Sequence, residues 1–240
     1  MYKLIRIDLN GVNCYLSKDK NGFILFDTGG HLVMDKQFTN RRELLLKELE
    51  AAGCTDNNLN LIVLTHGDSD HSCNAAYLRK YFKTKIAMNA CDRKLVEEPT
   101  LQQWMESYQY DSVELQQRFL QYKEIITKVT QKILDEFERF SPDILLEDGF
   151  DLSDYGFDAK VIHLPGHTPG SIAIVTRDGK LISGDTFENT EIPGPAPNAD
   201  DFQQLTLSIN SLKHLSINTV YPGHGNPFNF KELVYANHSY

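Results

Sequence analysis

The fold is decided by Leu61-Ile62-Val63-Leu64-Thr65-His66-Gly67-Asp68-Ser69-Asp70-His71-Ser72. The apolar half of this stretch predicts a buried strand that ends in a loop. Four side chains that can bind metal follow it: His66, Asp68, Asp70 and His71. Packing does not require them, because burying charged groups is costly unless a cation or a partner compensates. The stretch therefore predicts part of a metal centre.

Three later stretches of the chain repeat this pattern. His167, Asp185 and His224 each follow a predicted strand and a glycine, after residues 159–164, 180–183 and 218–221. We expect these three side chains at the same edge of a sheet. Together with the first cluster they make seven side chains, which is enough for two metal ions.

The other elements around these stretches predict layered α/β packing. A meander of strands is predicted at 4–9, 14–16 and 23–26, a helix at 41–52, a second helix at 72–82 with Ser72 as its N-cap, and strands at 85–88, 144–146 and 171–176. Another helix is predicted at about 200–215. Strand, helix and strand in succession indicate βαβ units. Asp27, after the third strand, either caps a turn or supports a metal ligand.

Residues 92–140 differ in character from the rest, with many Gln, Glu and Lys residues and no strand pattern. Apolar residues recur there at steps of three and four, which predicts one face of a long helix. They are Leu115, Phe119, Tyr122, Ile126, Val129, Ile133, Phe137 and Phe140. The face could pack on the domain, cover the metal site or form a homodimer. Trp104, Met105, Tyr108 and Tyr110 are predicted to lie in an irregular stretch before it.

The composition limits the partners of the chain. The 240 residues include 24 basic and 33 acidic side chains, a net charge of −9, which argues against a nucleic-acid partner. Neither a signal peptide nor a membrane-spanning run is apparent, so we expect a cytoplasmic protein without a membrane partner. The four cysteines are scattered and are expected to be buried free thiols.

The ordered motifs resemble those of the metallo-β-lactamase-fold hydrolase superfamily. The resemblance rests on the 65–71 cluster together with Asp27-Thr28-Gly29, Gly166-His167-Thr168-Pro169-Gly170-Ser171, Gly184-Asp185-Thr186 and Pro222-Gly223-His224-Gly225. It covers nearly the whole chain except the segment at about 92–140. It implies a single α/β domain over 1–240, a four-layer αββα sandwich with a helical insert, and metal ions at one edge of its two sheets.

The resemblance also implies roles for the seven residues. One metal would be bound by His66, Asp68 and His167, the other by Asp70, His71 and His224, with Asp185 bridging both. A hydroxide bridging the two metals would attack a small ester, thioester, lactone or related bond. Asp70 would also orient that hydroxide or accept its proton, as the catalytic residue. No further cofactor is implied.

Position 68 departs from the commonest superfamily pattern, which has His where this chain has Asp68. Oxygen ligands suit harder ions, and an added carboxylate lowers the charge of the centre. The expected cofactors are therefore two divalent ions, with manganese or iron accepted at least as readily as zinc.

Two other functions stay open at this point. The acid at position 68 also occurs in flavodiiron oxygen reductases, so a diiron oxygen or nitric oxide reductase is an alternative, although no flavodoxin-like domain is apparent. A non-catalytic metal-binding protein is the other. Among hydrolases, exported β-lactamases, glyoxalase II-like enzymes and nucleases are disfavoured, and a lactonase whose insert frames an acyl chain stays open.

Overall fold

The computed structural model describes residues 2–233, which form two six-stranded sheets. The strands of the first sheet lie in chain order: β1 (Lys3–Asp8), β2 (Asn13–Asp19), β3 (Gly22–Phe26), β4 (Leu59–Val63), β5 (Ile86–Met88) and β6 (Ile144–Leu145). The first three strands are antiparallel, as the predicted meander requires. The last four are parallel, which places their carboxyl ends at one edge.

The second sheet is built from the remaining strands: β7 (Ala159–His163), β8 (Ile172–Thr176), β9 (Lys180–Asn189), β10 (Gly194–Pro195), β11 (Thr219–Gly225) and β12 (Phe228–Asn229). Its order is β12-β11-β9-β8-β7, with β10 paired to β9. The hairpin between β8 and β9 turns at Gly179, whose φ of 80° suits glycine. β9 and β11 pair in parallel, so their carboxyl ends also share an edge.

Seven helices accompany the sheets within residues 2–233. They are α1 (Arg42–Ala52), α2 (Ser69–Ser72), α3 (Ala75–Phe82), α4 (Arg93–Glu97), α5 (Leu101–Glu106), α6 (Val113–Glu136) and α7 (Phe202–Ser211). The connections β3-α1-β4 and β4-α2-α3-β5 are the predicted βαβ units. None of these helices is long and apolar enough to cross a membrane.

Alternation along the strands produces four layers. On β3, Phe23 and Leu25 belong to the core shared with α1 and α3, whereas Ile24 and Phe26 face the second sheet. On β8, Ile172 and Ile174 face the first sheet. Apolar residues on the opposite face of the second sheet pack against α7. This period of two confirms the predicted αββα sandwich.

The predicted helix at 72–82 was wrong in its first turn. Ser72 is not its N-cap but the last residue of α2, where its hydroxyl donates to the Gly67 carbonyl. Asn74 caps α3 by position, and its side chain donates to the carbonyls of Thr28 and Asn40. The chain therefore breaks the helix to fasten the first metal-binding loop to the neighbouring loops.

Two strands of the second sheet extend further than predicted. Asp185 and His224 lie within β9 and β11 and not in loops beyond them. The pairing continues through register shifts next to Pro222, and Gly184 adopts a φ of +49°. Gly184 and Pro222 lie where the strand pairing is irregular. In the sequence, glycine and proline look the same at an irregular strand as in a loop, so the prediction ended both strands too early.

The insert between β5 and β6 is helical, but its boundaries differ from the prediction. Trp104 and Met105 lie in α5 and not in an irregular stretch. The long helix α6 ends at Glu136, so Phe137 and Phe140 follow it, although both are buried. Of the predicted apolar face, Tyr122 is exposed. Among the four cysteines, Cys91 is exposed and contradicts the prediction, whereas the other three are buried free thiols.

Candidate metal centre

The structure brings all seven sequence-predicted ligand residues together where the carboxyl ends of the parallel strands meet. Their ligand atoms form three overlapping groups, and within each group the atoms lie within 4.8 Å of one another. The groups are His66, Asp68 and His167; Asp70, His71 and His224; and His66, His71 and Asp185. The first two are the sets that the resemblance implies for two separate metals.

Asp185 lies between these two groups. Its Oδ1 is 3.3 Å from His71 Nε2, and its Oδ2 is 3.2 Å from His224 Nε2. The same Oδ2 is 3.8 Å from His167 Nε2. On the first group, Asp68 Oδ2 is 3.3 Å from His167 Nε2. The carboxylate of Asp185 thus reaches both groups, as a bridging ligand would.

Each of the four imidazoles is oriented through its Nδ1 atom. His167 Nδ1 donates to the Asn198 carbonyl at 3.0 Å, and His224 Nδ1 donates to the Gly11 carbonyl. Asp27 and Thr65 bind the other two, as described next. An Nδ1 that donates outward leaves Nε2 with its lone pair facing the centre, the arrangement typical of metal-binding histidines.

Asp27 orients two imidazoles at once. Its Oδ2 accepts a hydrogen bond from His71 Nδ1 at 3.0 Å and another from the Thr65 hydroxyl at 2.8 Å. The Thr65 oxygen in turn lies 2.9 Å from His66 Nδ1, from which it accepts. Asp27 Oδ1 accepts from the Thr65 backbone N–H at 2.7 Å. Of the two sequence interpretations of Asp27, the structure therefore favours support of metal ligands.

Unpartnered atoms at the centre fit a bound cation. His66 Nε2, His167 Nε2 and Asp185 Oδ1 are buried and lack a hydrogen-bond partner. Leaving such groups unpaired costs about 1–3 kcal/mol each, and more for charged groups. All three can donate an electron pair, and the two imidazoles are held through their Nδ1 atoms, so a divalent cation satisfies them where a hydrogen-bond acceptor cannot.

Burial and neighbouring charges shift the pKa values of the ligand residues in opposite directions. Burial lowers the pKa of His66 to about 4. Burial also lowers the pKa of His167, but the nearby carboxylates of Asp68 and Asp185 outweigh it and raise the pKa to about 9. For Asp70, burial raises the pKa, but the neighbouring His71 and His224 lower it to about 2. Without metal, His66 is therefore neutral at pH 7, whereas His167 is protonated and pairs with the neighbouring carboxylates.

Gly223 allows the His224 strand to approach the other ligands. A Cβ atom at this position would collide with Asp185 Oδ1 and would lie 2.8 Å from His71 Cε1. The strand is fixed from the first sheet, because Asn13 and Tyr15 donate to the Pro222 carbonyl at 2.9 and 2.7 Å. The glycine in the sequence motif is thus required by close packing against two ligands.

Asp92 is a further residue of the centre that the sequence analysis missed. It is fully buried, and its Oδ2 accepts from the Gly67 N–H at 2.9 Å and from the Thr168 hydroxyl at 2.7 Å. Its Oδ1 accepts from the Gly170 N–H at 2.7 Å. Asp92 therefore joins the loop of His66 to the loop of His167. Asp92 follows shortly after the end of β5, as Asp27 follows the end of β3. An acid just beyond a buried strand was therefore the sequence signal that could have identified it.

The other histidines within residues 2–233 lie outside the ligand groups. His163 Nε2 lies 2.9 Å from the Pro169 carbonyl and so holds the His167 loop. His31 is buried, and its Nε2 lies 3.1 Å from Glu136 Oε2. His214 lies in a 3-10 turn after α7. His238 lies outside the described residues.

A cavity of about 400 Å³ opens over the centre. Five of the ligand residues line it: Asp68, Asp70, Asp185, His167 and His224. The insert and the segment 187–198 supply much of the remaining lining. This volume is within the range of small-molecule sites.

Replacement of Asp92 tests its role in joining the two loops. Asp92→Asn loses one acceptor oxygen and presents an N–H group to N–H donors, so metal affinity should fall about 10- to 100-fold. Competition with a chromogenic chelator measures this. Asp56→Asn, at an exposed position, is the matched control. Equal affinities of the two variants would contradict the role given to Asp92.

Comparison with known proteins agrees with this geometry. The family model described as the metallo-beta-lactamase superfamily matches residues 7–224. A hydroxyacylglutathione hydrolase of Haemophilus influenzae is 29% identical over 221 residues, covering 89% of this chain and 85% of that protein. A probable metallo-hydrolase of Methanocaldococcus jannaschii is 28% identical, covering 81% and 82%.

Solved structures support the same fold. The B3 metallo-β-lactamase BLEG-1 superposes with a TM-score of 0.66 at 21% identity, covering 97% of this chain and 95% of that one. A metallo-β-lactamase family protein of Thermus thermophilus gives 0.63 at 18% identity, covering 95% and 74%. The family match spans most of the chain and includes the candidate centre. The chain therefore belongs to the metallo-β-lactamase superfamily and is, at that level, a metal-dependent hydrolase.

Proposed function

We propose that this protein hydrolyses a small ester, thioester or lactone, at a centre of two divalent metal ions bound by the seven clustered side chains. One observation carries the proposal: four imidazole Nε2 atoms and three carboxylates converge beside a cavity of small-molecule size. The two hydrolase-named relatives support the reaction class. The bond that is cleaved belongs to the proposal.

The proposed ligand sets follow the observed groups. His66, Asp68 and His167 would hold one ion, Asp70, His71 and His224 the other, and Asp185 would contact both. Bound there, divalent ions supply a Lewis acid for the scissile carbonyl and make a water molecule acidic enough to attack it.

Two side chains near the centre, Cys73 and Ser171, are poorly suited to act as nucleophiles. Burial raises the pKa of the Cys73 thiol to about 12, so that it stays protonated and weakly nucleophilic near neutral pH. The Ser171 hydroxyl accepts from the Thr168 N–H at 3.0 Å and pairs with its hydroxyl at 2.8 Å. Both groups are engaged in structure, which supports direct attack by water.

Asp70 is the proposed catalytic residue. It lines the cavity, and its Oδ2 lies 3.4 Å from His224 Nε2 and 3.8 Å from His71 Nε2. Its lowered pKa keeps it a carboxylate at neutral pH. A carboxylate at the cavity wall can accept a hydrogen bond from the attacking water and orient it toward the carbonyl carbon.

Hydrolysis and its dependence on Asp70 test the proposal. We expect the protein, reconstituted with Mn²⁺, Fe²⁺ or Zn²⁺, to hydrolyse members of a panel of nitrophenyl esters, thioesters and lactones. Asp70→Ala should lower kcat about 10²- to 10⁴-fold without changing the circular dichroism spectrum. Asp154→Ala, at an exposed turn, should leave kcat unchanged. Full activity in Asp70→Ala, or no hydrolysis of any substrate, would refute the proposal.

Asp68 is proposed to determine which metal is bound. Two divalent ions beside three carboxylates leave one net positive charge, whereas a histidine at position 68 would leave two. The carboxylate oxygen also favours harder ions than an imidazole nitrogen does. Both effects favour manganese or iron relative to the usual histidine pattern.

Metal analysis after anaerobic purification tests this assignment. We expect manganese or iron in the wild-type protein at least as often as zinc, and a shift toward zinc in Asp68→His. Asp68→Asn keeps an oxygen ligand but removes the charge, so it separates the two causes. Zinc alone at full occupancy in the wild-type protein would contradict the assignment.

A further inference from the structure

The turn between β1 and β2 lies against the strand that carries His224. His224 Nδ1 donates to the Gly11 carbonyl in this turn. The turn itself is closed by the Leu9 N–H, which donates to the Val12 carbonyl at 2.9 Å. The carbonyl that orients the His224 ring is therefore part of a hydrogen-bonded turn and not of a free loop.

Asn13, the first residue of β2, holds the backbone on both sides of His224. It is 1% exposed, and its Nδ2 donates to the Pro222 carbonyl at 2.9 Å and to the Gly225 carbonyl at 2.7 Å. The pairing of β11 with β9 shifts register on both sides of Pro222. One side-chain amide therefore bridges the stretch of β11 in which the strand pairing is irregular.

Arg6 on β1 fixes the orientation of this amide. Its Nε donates to Asn13 Oδ1 at 2.8 Å. An arginine offers only donors and a backbone carbonyl only accepts, so the Asn13 oxygen faces Arg6 and its NH₂ group faces the two carbonyls. Arg6 Nη1 also donates to Asn226 Oδ1 at 2.7 Å, and Nη2 pairs with Asp8 at 2.9 Å. The guanidinium therefore holds the chain two residues beyond His224 as well.

These contacts act on only one of the two proposed ligand sets. His224 Nε2 lies 3.4 Å from Asp70 Oδ2 and 3.3 Å from His71 Nε2, with which it forms one group. The imidazoles of the other set are oriented from different segments, by Thr65 and by the Asn198 carbonyl. A change at the β1–β2 turn should therefore affect one metal ion and spare the other.

We propose that Asn13, oriented by Arg6, is a positioning residue for His224. The pair sets the affinity of the metal ion that His224 binds, although neither side chain belongs to the ligand groups. This inference rests on the two-metal centre of the proposed function. Metal binding is measurable without hydrolysis, so the inference has a test of its own.

Calorimetric titration of the metal-free, full-length protein with Mn²⁺ tests this role. In Asn13→Ala, one ion should bind as in the wild type, and the dissociation constant of the other should rise about 10- to 100-fold. A residue that only stabilised the fold would weaken both ions or neither. Two ions bound with wild-type affinity, or an equal loss at both sites, would overturn the proposal.

Asn60→Ala is the matched control. Asn60 Nδ2 also donates to two backbone carbonyls, those of Asn21 and Tyr155, each at 3.2 Å. Asn60 lies near the amino end of β4, whereas the ligand residues follow its carboxyl end. The variant should lower the melting temperature and leave both metal affinities unchanged. A selective loss of one ion in Asn60→Ala as well would overturn the proposal.

Arg6→Lys tests the same role at a more exposed position if Asn13→Ala fails to fold. Lysine keeps the charge but offers one nitrogen where Arg6 uses three, so the same ion should bind about 3- to 10-fold more weakly. Arg79→Lys is the matched control, because the Arg79 side chain is 28% exposed and that of Arg6 is 25% exposed. Equal metal affinities of the two variants would overturn the proposal.

The two proposals fail in different ways. Hydrolysis of the ester panel by the wild type, together with two unweakened ions in Asn13→Ala, overturns the positioning role alone. Selective loss of one ion in Asn13→Ala, in a protein that hydrolyses nothing on the panel, supports the positioning role and overturns the proposed hydrolysis.

Discussion

The Asp27 carboxylate is the constraint on which the candidate metal centre depends. It lies 2% exposed at the end of β3 and accepts hydrogen bonds from His71 Nδ1 and from the Thr65 hydroxyl, which in turn accepts from His66 Nδ1. One carboxylate thus sets the orientation of an imidazole in each of the two ligand groups. Asp92 similarly holds the His66 loop against the His167 loop by accepting hydrogen bonds from both.

The sandwich makes this arrangement possible. Parallel pairing from β3 to β6 and between β9 and β11 puts carboxyl ends at one edge, where both sheets supply ligands. The three apolar cores between the four layers fix the positions of these ends. The outward hydrogen bonds of the imidazoles fix the rings. Bringing three carboxylates together costs free energy through repulsion and loss of hydration. Protonated imidazoles offset part of this cost, and divalent cations offset more of it.

Much of this was predictable from sequence, because strand ends and ligand residues follow a regular pattern. The order of strand, helix and strand indicated layered packing, the motifs indicated the αββα family, and the acids and histidines that follow apolar runs indicated the ligand residues. What could not be predicted depends on contacts between distant segments. The extension of β9 through Asp185 depends on pairing with β11, and the helix break before α3 depends on the loops that Asn74 holds.

Asp92 and Asn13 illustrate the same limit. A buried acid is recognisable as a positioning residue only when its three donors are known, and they come from residues 67, 168 and 170. The strand pattern at 14–16 predicted β2. It could not indicate that Asn13, just before that pattern, donates to carbonyls 209 and 212 residues later in the chain.

The central claim is that the seven side chains bind two divalent cations. Calorimetric titration of the metal-free protein with Mn²⁺ at pH 7 tests this claim most directly, and buffers of different ionisation enthalpy reveal how many protons are released. His167, with a pKa of about 9, and the carboxylate-paired His71 and His224, whose pKa values are also raised, must lose protons to bind metal. The account predicts two ions per chain and net proton release. Binding of one ion or none, or binding without proton release, would contradict it.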